Sequence, residues 1–182
     1  MRPAPRSNVV AGIATGSVRC ATAAIGVLIV AAVAVSLAGL ADETRSILRF
    51  GFGGVDRSPA EVASIAIHNA RFAGGTLLCA AIAPRLTRRA RRVVDLVLGT
   101  LLAFNAGAVG IAVGAYGARA VSATALHLPV EFSALSIAGG AYMQACKQAL
   151  TGRELAVVGA TTALVLVVAA ALETYVSIGG TR

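Results

Sequence analysis

The chain has 182 residues, of which 57% are hydrophobic and 13% are charged, and its mean hydropathy is +0.81. Ordinary soluble domains carry about 25% charged residues and need a polar exterior, so this composition argues against a soluble fold. The net charge of +8 does not indicate nucleic-acid binding, because the chain has no Trp and only three Tyr on which bases could stack. The exterior is therefore expected to face lipid.

Five apolar runs follow one another along the chain, separated by short polar segments. About 20 residues are needed to cross ~30 Å of hydrocarbon at 1.5 Å per residue, and most of the runs reach that length. We predict an all-α, polytopic transmembrane helix bundle of about five spans that forms a single domain over residues 1–182. The predicted spans are residues 20–40, 62–83, 93–115, 132–146 and 155–178.

Two of these runs allow more than one interpretation. The first follows a basic segment with Arg2 and Arg6, and Ser36-Leu37-Ala38 resembles a signal-peptidase site. Its length of about 21 residues exceeds the ~7–15 of a signal-peptide core, so we interpret it as a retained first span. The fourth run has about 15 residues, and Pro129 interrupts the apolar segment before it. We predict a fourth span that is short and either broken or re-entrant.

The distribution of basic residues predicts the orientation. Five alternating spans place ten basic residues on one side of the membrane and five on the other. The positive-inside rule puts the richer side in the cytoplasm, with the N-terminus inside and the C-terminus outside. Most of the excess lies in a predicted cytoplasmic basic loop between the second and third spans. Its residues are Arg85, Arg88, Arg89, Arg91 and Arg92.

Several polar side chains lie inside the apolar runs, where they are expensive and are candidates for function by default. The five-span topology brings them to a similar depth in the outer half of the bilayer. We predict that Glu131, Glu173 or both neutralise Arg71, and that the resulting intramembrane polar cluster lines an outward groove. A structural ion pair that only fixes the helix register is the alternative. The cluster consists of Arg71, Glu131, Glu173, His127, His68, Asn69 and Asn105.

Motifs for catalysis or metal binding are weak. His127 and Glu131 are four residues apart and could share a helix face that, with His68 or Glu173, would suit zinc. The sequence has no His-Glu-x-x-His pattern, and Pro129 interrupts that face. It also has no serine or cysteine nucleophile motif and no glycine-rich phosphate loop. We therefore expect no enzymatic activity, no metal site and no cofactor.

The order and spacing of the polar residues follow a family pattern. Over roughly residues 65–178 the chain resembles the stage II sporulation protein M family of integral membrane proteins. It departs from the family at Leu126 and Leu128, where the family has Pro and Gly around the His, and at Ala106, where the family has Gly after the Asn. The matching segments are Ile67-His68-Asn69-Ala70-Arg71, Asn105-Ala106 with Gly110, His127 and Glu131 with Ala138-Gly139-Gly140-Ala141, and Leu172-Glu173.

The resemblance implies a role through protein partners. The founding member of the family is a membrane scaffold for a cell-wall-remodelling complex, and some relatives work with ATP-binding proteins in peptide export or immunity. We expect an integral scaffold or assembly component in the bacterial inner (plasma) membrane, which contacts the lipid bilayer and membrane or periplasmic proteins. The alternative is a transporter subunit that works with a cytoplasmic ATPase docked on the basic loop. The sequence is compatible with a homo-oligomer, and no nucleic-acid partner is expected.

Overall fold

The computed structural model describes residues 6–50 and 56–177, and every regular element in these ranges is helical. Four helices are long and apolar enough to cross a membrane. They are α1 (Arg6–Leu37), α3 (Pro59–Ile82), α4 (Arg88–Tyr116) and α7 (Gly152–Leu172), and between them lie α2 (Ala41–Leu48), α5 (Ala118–Thr124) and α6 (Leu128–Ala145). The predicted all-α bundle is confirmed. The predicted end of the last span at residue 178 lies outside the described residues.

The fourth predicted span is divided between α5 and α6. Together these two helices are apolar enough to cross a membrane, but they are bent by 63° at the break between them. Pro129 is the second residue of α6, a position at which its missing N–H costs the helix little. The expectation of a short, broken fourth span is therefore confirmed. The chain is a multi-pass membrane protein with four candidate spans, or five if the bent pair counts as one.

Helix α6 lies at the centre of the bundle. It packs against α1, α3 and α7, whereas α4 packs against α1. A core cluster takes one or more buried residues from each of these five helices. These residues include Ala24, Ala73, Ala106, Phe132 and Leu166. The central position of α6 explains why this short helix has the highest proportion of buried side chains.

Glycines bring α1 very close to its two neighbours. A Cβ on Gly16 would lie 2.8 Å from the Gly140 Cα, and one on Gly12 would meet the Gln144 side chain, so α1 and α6 run antiparallel. A Cβ on Gly114 would lie 2.6 Å from the Ala32 carbonyl oxygen, as α1 runs parallel to α4. Close approach of this kind is how helices associate in lipid, where no hydrophobic force drives them together.

Helix α1 is longer than predicted. It begins at Arg6 rather than near residue 20, and its contact with α6 already starts at Gly12. Arg19, which directly precedes the predicted first span, therefore lies on the helix. Small and polar residues lower the mean hydropathy of α1 before residue 20, but the small residues allow the close packing on α6. The orientation of the bundle in the membrane stays a prediction.

A short helix that was not predicted covers the C-terminal end of α4. α2 begins after Gly39 and packs along α4. The Arg45 Nε donates to the Ala115 carbonyl at 2.6 Å, and the Phe50 N–H donates to the Tyr116 hydroxyl at 3.0 Å. These bonds tie the first connection to the bundle.

Large apolar side chains cover the outside of the bundle. On four different helices they are about two-thirds exposed or more, and a bilayer is the medium that accommodates such a surface. They include Val30 (68%), Leu78 (65%), Phe104 (74%) and Leu164 (65%).

Candidate functional site

A cavity of about 410 Å³ opens between α3 and α4, in the half of the bundle where α6 begins. It exists because these consecutive helices do not pack on one another: α3 packs on α6 and α7, whereas α4 packs on α1. Residues of α3, α4, α5, α6 and the turn after α7 line it, and we call it the polar cavity. Its polar side chains are those of Ser64, His68, Asn69, Asn105, Thr124, His127, Glu131 and Glu173.

Six of the seven residues predicted to form an intramembrane polar cluster line this one cavity. The prediction depended on placing polar residues of alternating spans at one depth, and the structure brings those residues together. Two further lining residues, Ser64 and Thr124, were missed. Ser64 lies one helical turn before His68 on α3, so the two share a helix face and this spacing could have placed Ser64 in the predicted cluster. Thr124 ends α5, a helix the sequence did not predict.

Arg71 is the exception, and its predicted ion pair is wrong. Its side chain is exposed and lies outside the polar cavity. Within the described chain the salt bridge found is that of Arg45 with Asp42, at 3.0 Å. The reason is helical rotation, because Arg71 follows His68 by three residues and is turned about 60° around α3 from it, which places Arg71 beside the cavity rather than in its lining. An arginine near the middle of a span costs roughly 2.5–3.5 kcal/mol on insertion scales, so it needs a partner.

The two carboxylates of the polar cavity lie at helix ends. Glu131 is in the first turn of α6, where the helix dipole favours a negative charge. Glu173 lies where α7 gives way to a π-helical turn (Glu173–Ser177), a rare geometry that is frequent at functional sites. Neither carboxylate has a hydrogen bond or ion pair with another described residue. Two neighbouring carboxylates in a membrane need a cation or a shared proton.

Three of the other polar side chains are held within their own helices or buried. The Asn105 Nδ2 donates to the Leu101 carbonyl at 2.8 Å, and the Thr124 Oγ1 donates to the Ala120 carbonyl at 2.9 Å. His127 precedes α6 and is buried. These side chains line the polar cavity without drawing α3 and α4 together, which keeps the space between the two helices open.

Among the described residues, no group of three or more His, Cys, Asp or Glu side chains has the arrangement of a metal site. Comparison of the chain with protein-family models, with curated proteins and with solved structures finds no match.

The arginines predicted to form a cytoplasmic loop lie mostly on a helix, which corrects the predicted loop. α4 begins at Arg88, and the Thr87 hydroxyl caps it by accepting from the Ala90 N–H at 3.2 Å. Arginine is a good helix former and residues 88–92 contain no Gly or Pro, so the helix starts before the predicted span at residue 93. The side chains of Arg85, Arg88, Arg89 and Arg92 are exposed.

Arg91 differs from the other arginines of this cluster. Its guanidinium donates to the Cys146 carbonyl at 2.9 Å and to the Ala83 carbonyl at 3.0 Å. It thereby ties the start of α4 to the ends of α3 and α6 and satisfies carbonyl groups that helix ends leave unpaired. Its role is structural, whereas its exposed neighbours are available to lipid or a partner.

A second cavity, of about 180 Å³, lies between α3 and α4 in the other half of the bundle. Its lining is mainly apolar, with Phe72, Leu98 and Leu135 among the contributors, and we call it the apolar cavity. At its edge the Tyr142 hydroxyl donates to the Asp95 carboxylate at 2.7 Å. No sequence pattern predicts this pair, because the two residues are 47 positions apart and tyrosine is common in cores.

Proposed function

We propose that the chain is an integral membrane scaffold or assembly component of the stage II sporulation protein M type. In this proposal it lies in the bacterial inner membrane and acts through membrane or periplasmic protein partners rather than by catalysis. Two features support it: the spacing of the polar residues along the sequence and the presence of a polar cavity in a bundle whose connections are short.

The polar cavity carries the proposal. Hydrocarbon is a poor occupant for a space lined by carboxylates, imidazoles and amides, because polar groups that lose water without gaining hydrogen bonds are destabilised. A polar or basic segment of a partner protein offers the donors that Glu131 and Glu173 lack. Hydrogen bonds and close packing between helices are what drive association within lipid.

Affinity purification in mild detergent tests this proposal. We expect the wild-type chain to co-purify with at least one other membrane or periplasmic protein. The Glu131→Gln/Glu173→Gln variant keeps the shape of both side chains but removes their charge, and we expect it to recover that protein at least fivefold less well. Glu43→Gln changes an exposed carboxylate on α2 and serves as the matched control. Recovery of the wild-type chain without a companion, or full recovery by the double variant, would contradict the proposal.

A transport role is the second candidate. The polar and apolar cavities follow one another along the gap between α3 and α4, which favours a path through the bundle over an isolated pocket. In this proposal a cytoplasmic ATP-binding subunit docks on the exposed arginines at the start of α4. Co-purification of an ATP-binding protein that is lost on Arg88→Gln/Arg89→Gln/Arg92→Gln, but retained in the Glu131→Gln/Glu173→Gln variant, would favour transport over scaffolding.

Cysteine labelling tests the proposed orientation. Asp56 and Lys147 are exposed in connections that the N-in topology places outside and inside, respectively. In a background with Cys20, Cys79 and Cys146 replaced by alanine, a membrane-impermeant maleimide should label Asp56→Cys in intact cells. Lys147→Cys should react only after the membrane is opened. The reverse pattern would overturn the N-in assignment.

A further inference from the structure

The outward face of α3 carries residues that suit a helix contact better than a lipid contact. His68 and Arg71 are exposed on it, and Ile67 and Leu78 are 58% and 65% exposed. A Cβ on Gly74 or Gly75 would meet nothing within 4 Å, in contrast to glycines such as Gly140 that lie at the close helix contacts. Small residues in transmembrane helices are typical of close helix association, and no described residue covers these two.

Arg71 makes this face costly to leave in lipid. It lies near the middle of the 24-residue α3, so its guanidinium is far from either membrane surface. It has no ion pair or hydrogen bond with another described residue. Arginines inside spans almost always pair with another group or face water. Arg71 therefore needs a group supplied from outside the described chain.

The complementary charge is present on the same chain at a similar depth. His68 lines the polar cavity beside Glu131 and Glu173, and Arg71 follows His68 by three residues, which is less than one 5.4 Å helical turn. Among the described residues no Lys or Arg lines the cavity. The chain thus presents a cation beside the mouth of the cavity and two carboxylates within it, and the two do not meet.

We propose that two copies of this chain associate through the α3 faces, with Arg71 of each copy entering the polar cavity of the other. The inference rests on the proposed function, because it names a second copy as an occupant of the same cavity. A symmetric contact is self-complementary and would satisfy both arginines and both pairs of carboxylates at once. Gly74 and Gly75 would let the two α3 helices approach closely.

A charge exchange between differently tagged copies tests the pairing. In an Arg71→Glu homodimer, each contact sets the introduced carboxylate against the native carboxylates of the other copy's cavity. In a Glu131→Arg homodimer, each contact sets Arg71 against the guanidinium introduced into the other copy's cavity. A mixture of the two variants restores one reversed pair and keeps one native pair. We expect each variant to co-purify with itself at least fivefold less well than wild type, and the mixture to return to within about twofold of wild type. Arg92→Glu, outside the α3 face, should associate as wild type does.

Cross-linking supplies a test that does not depend on a charged substitution being tolerated. In the cysteine-free background, Leu78→Cys on the α3 face should give a disulfide-linked dimer when isolated membranes are treated with a mild oxidant such as copper phenanthroline. Val30→Cys, equally exposed on α1, should remain monomeric. Combining Leu78→Cys with Arg71→Leu, a change that suits lipid, should reduce the cross-linked fraction at least fivefold.

Three results would overturn this inference: wild-type copies that do not co-purify, cross-linking at position 78 that persists with Arg71→Leu, or charge-reversed variants that fold and fail to complement. If the second copy is not recovered but the Glu131→Gln/Glu173→Gln variant still loses another protein, self-association is wrong and the proposed function stands. If the second copy is recovered but no other protein ever is, the scaffold proposal fails and self-association stands.

Discussion

Replacing Gly140 with leucine is expected to separate α1 from α6 and to destabilise the bundle strongly. A Cβ at position 140 would meet the Ile13 carbonyl oxygen and would lie 2.6 Å from the Ser17 backbone nitrogen. These are main-chain atoms in a closely packed interface, so they can yield only if the whole helix shifts. We expect a loss of about 3 kcal/mol or more in the free energy of unfolding. SDS titration in mild detergent, followed by far-UV circular dichroism, measures it.

Gly26 on α1 provides the matched control for this substitution. It is also a glycine inside a long helix, but a Cβ there would meet nothing within 4 Å. Leucine has a higher helix propensity than glycine by up to about 1 kcal/mol, so Gly26→Leu should leave stability unchanged or raise it slightly. If Gly140→Leu unfolded at the same SDS concentration as Gly26→Leu, the close crossing of α1 and α6 would be wrong.

The spans and their break were predictable because both follow from local chemistry. Apolar runs of sufficient length predict membrane helices, and Pro129 marks the place where α6 begins as a new helix. The gathering of six polar residues into one cavity was also predictable. It needed only the depth of each residue along its helix, which the sequence gives once the direction of each span is known.

Rotation about a helix axis could not be predicted in the same way. The sequence places Arg71 at the depth of His68 and Asn69, but whether its side chain faces the cavity depends on which side of α3 packs on α6 and α7. α3 is apolar around most of its circumference, so its pattern does not identify the packed side. The predicted pairing of Arg71 within one chain is wrong for this reason, and Arg71 is left available to a second copy.

Helix starts were misjudged where hydropathy and helix-forming tendency disagree. The first turns of α1 and α4 are rich in small polar residues and in arginine, respectively. A hydropathy scale therefore predicts a loop at both places. Neither segment contains a proline, and Thr87 provides a cap for α4. Hydropathy reports where lipid is, whereas caps and propensity report where the helix begins.

Removing the hydroxyl of Tyr142 is expected to expose a second weakness of the bundle. The hydroxyl donates to the Asp95 carboxylate at 2.7 Å, beside the apolar cavity. Tyr142→Phe leaves that carboxylate without its donor, and hydrogen bonds to charged groups contribute about 1.5–3 kcal/mol. We expect a loss of unfolding free energy in that range, measured by the same SDS titration.

Removing both partners should do less harm than removing one. Tyr142→Phe/Asp95→Leu leaves two apolar side chains of similar volume, and such exchanges are often close to neutral. The four proteins of this double-mutant cycle give the coupling between the two side chains directly. A coupling near zero would contradict the structural role and would mean that water already reaches Asp95 from the membrane surface. An acid that water reaches at this end of the gap between α3 and α4 would suit a transport path, because intramembrane acids mark ion and proton pathways. A strong coupling therefore favours the scaffold, and its absence favours transport.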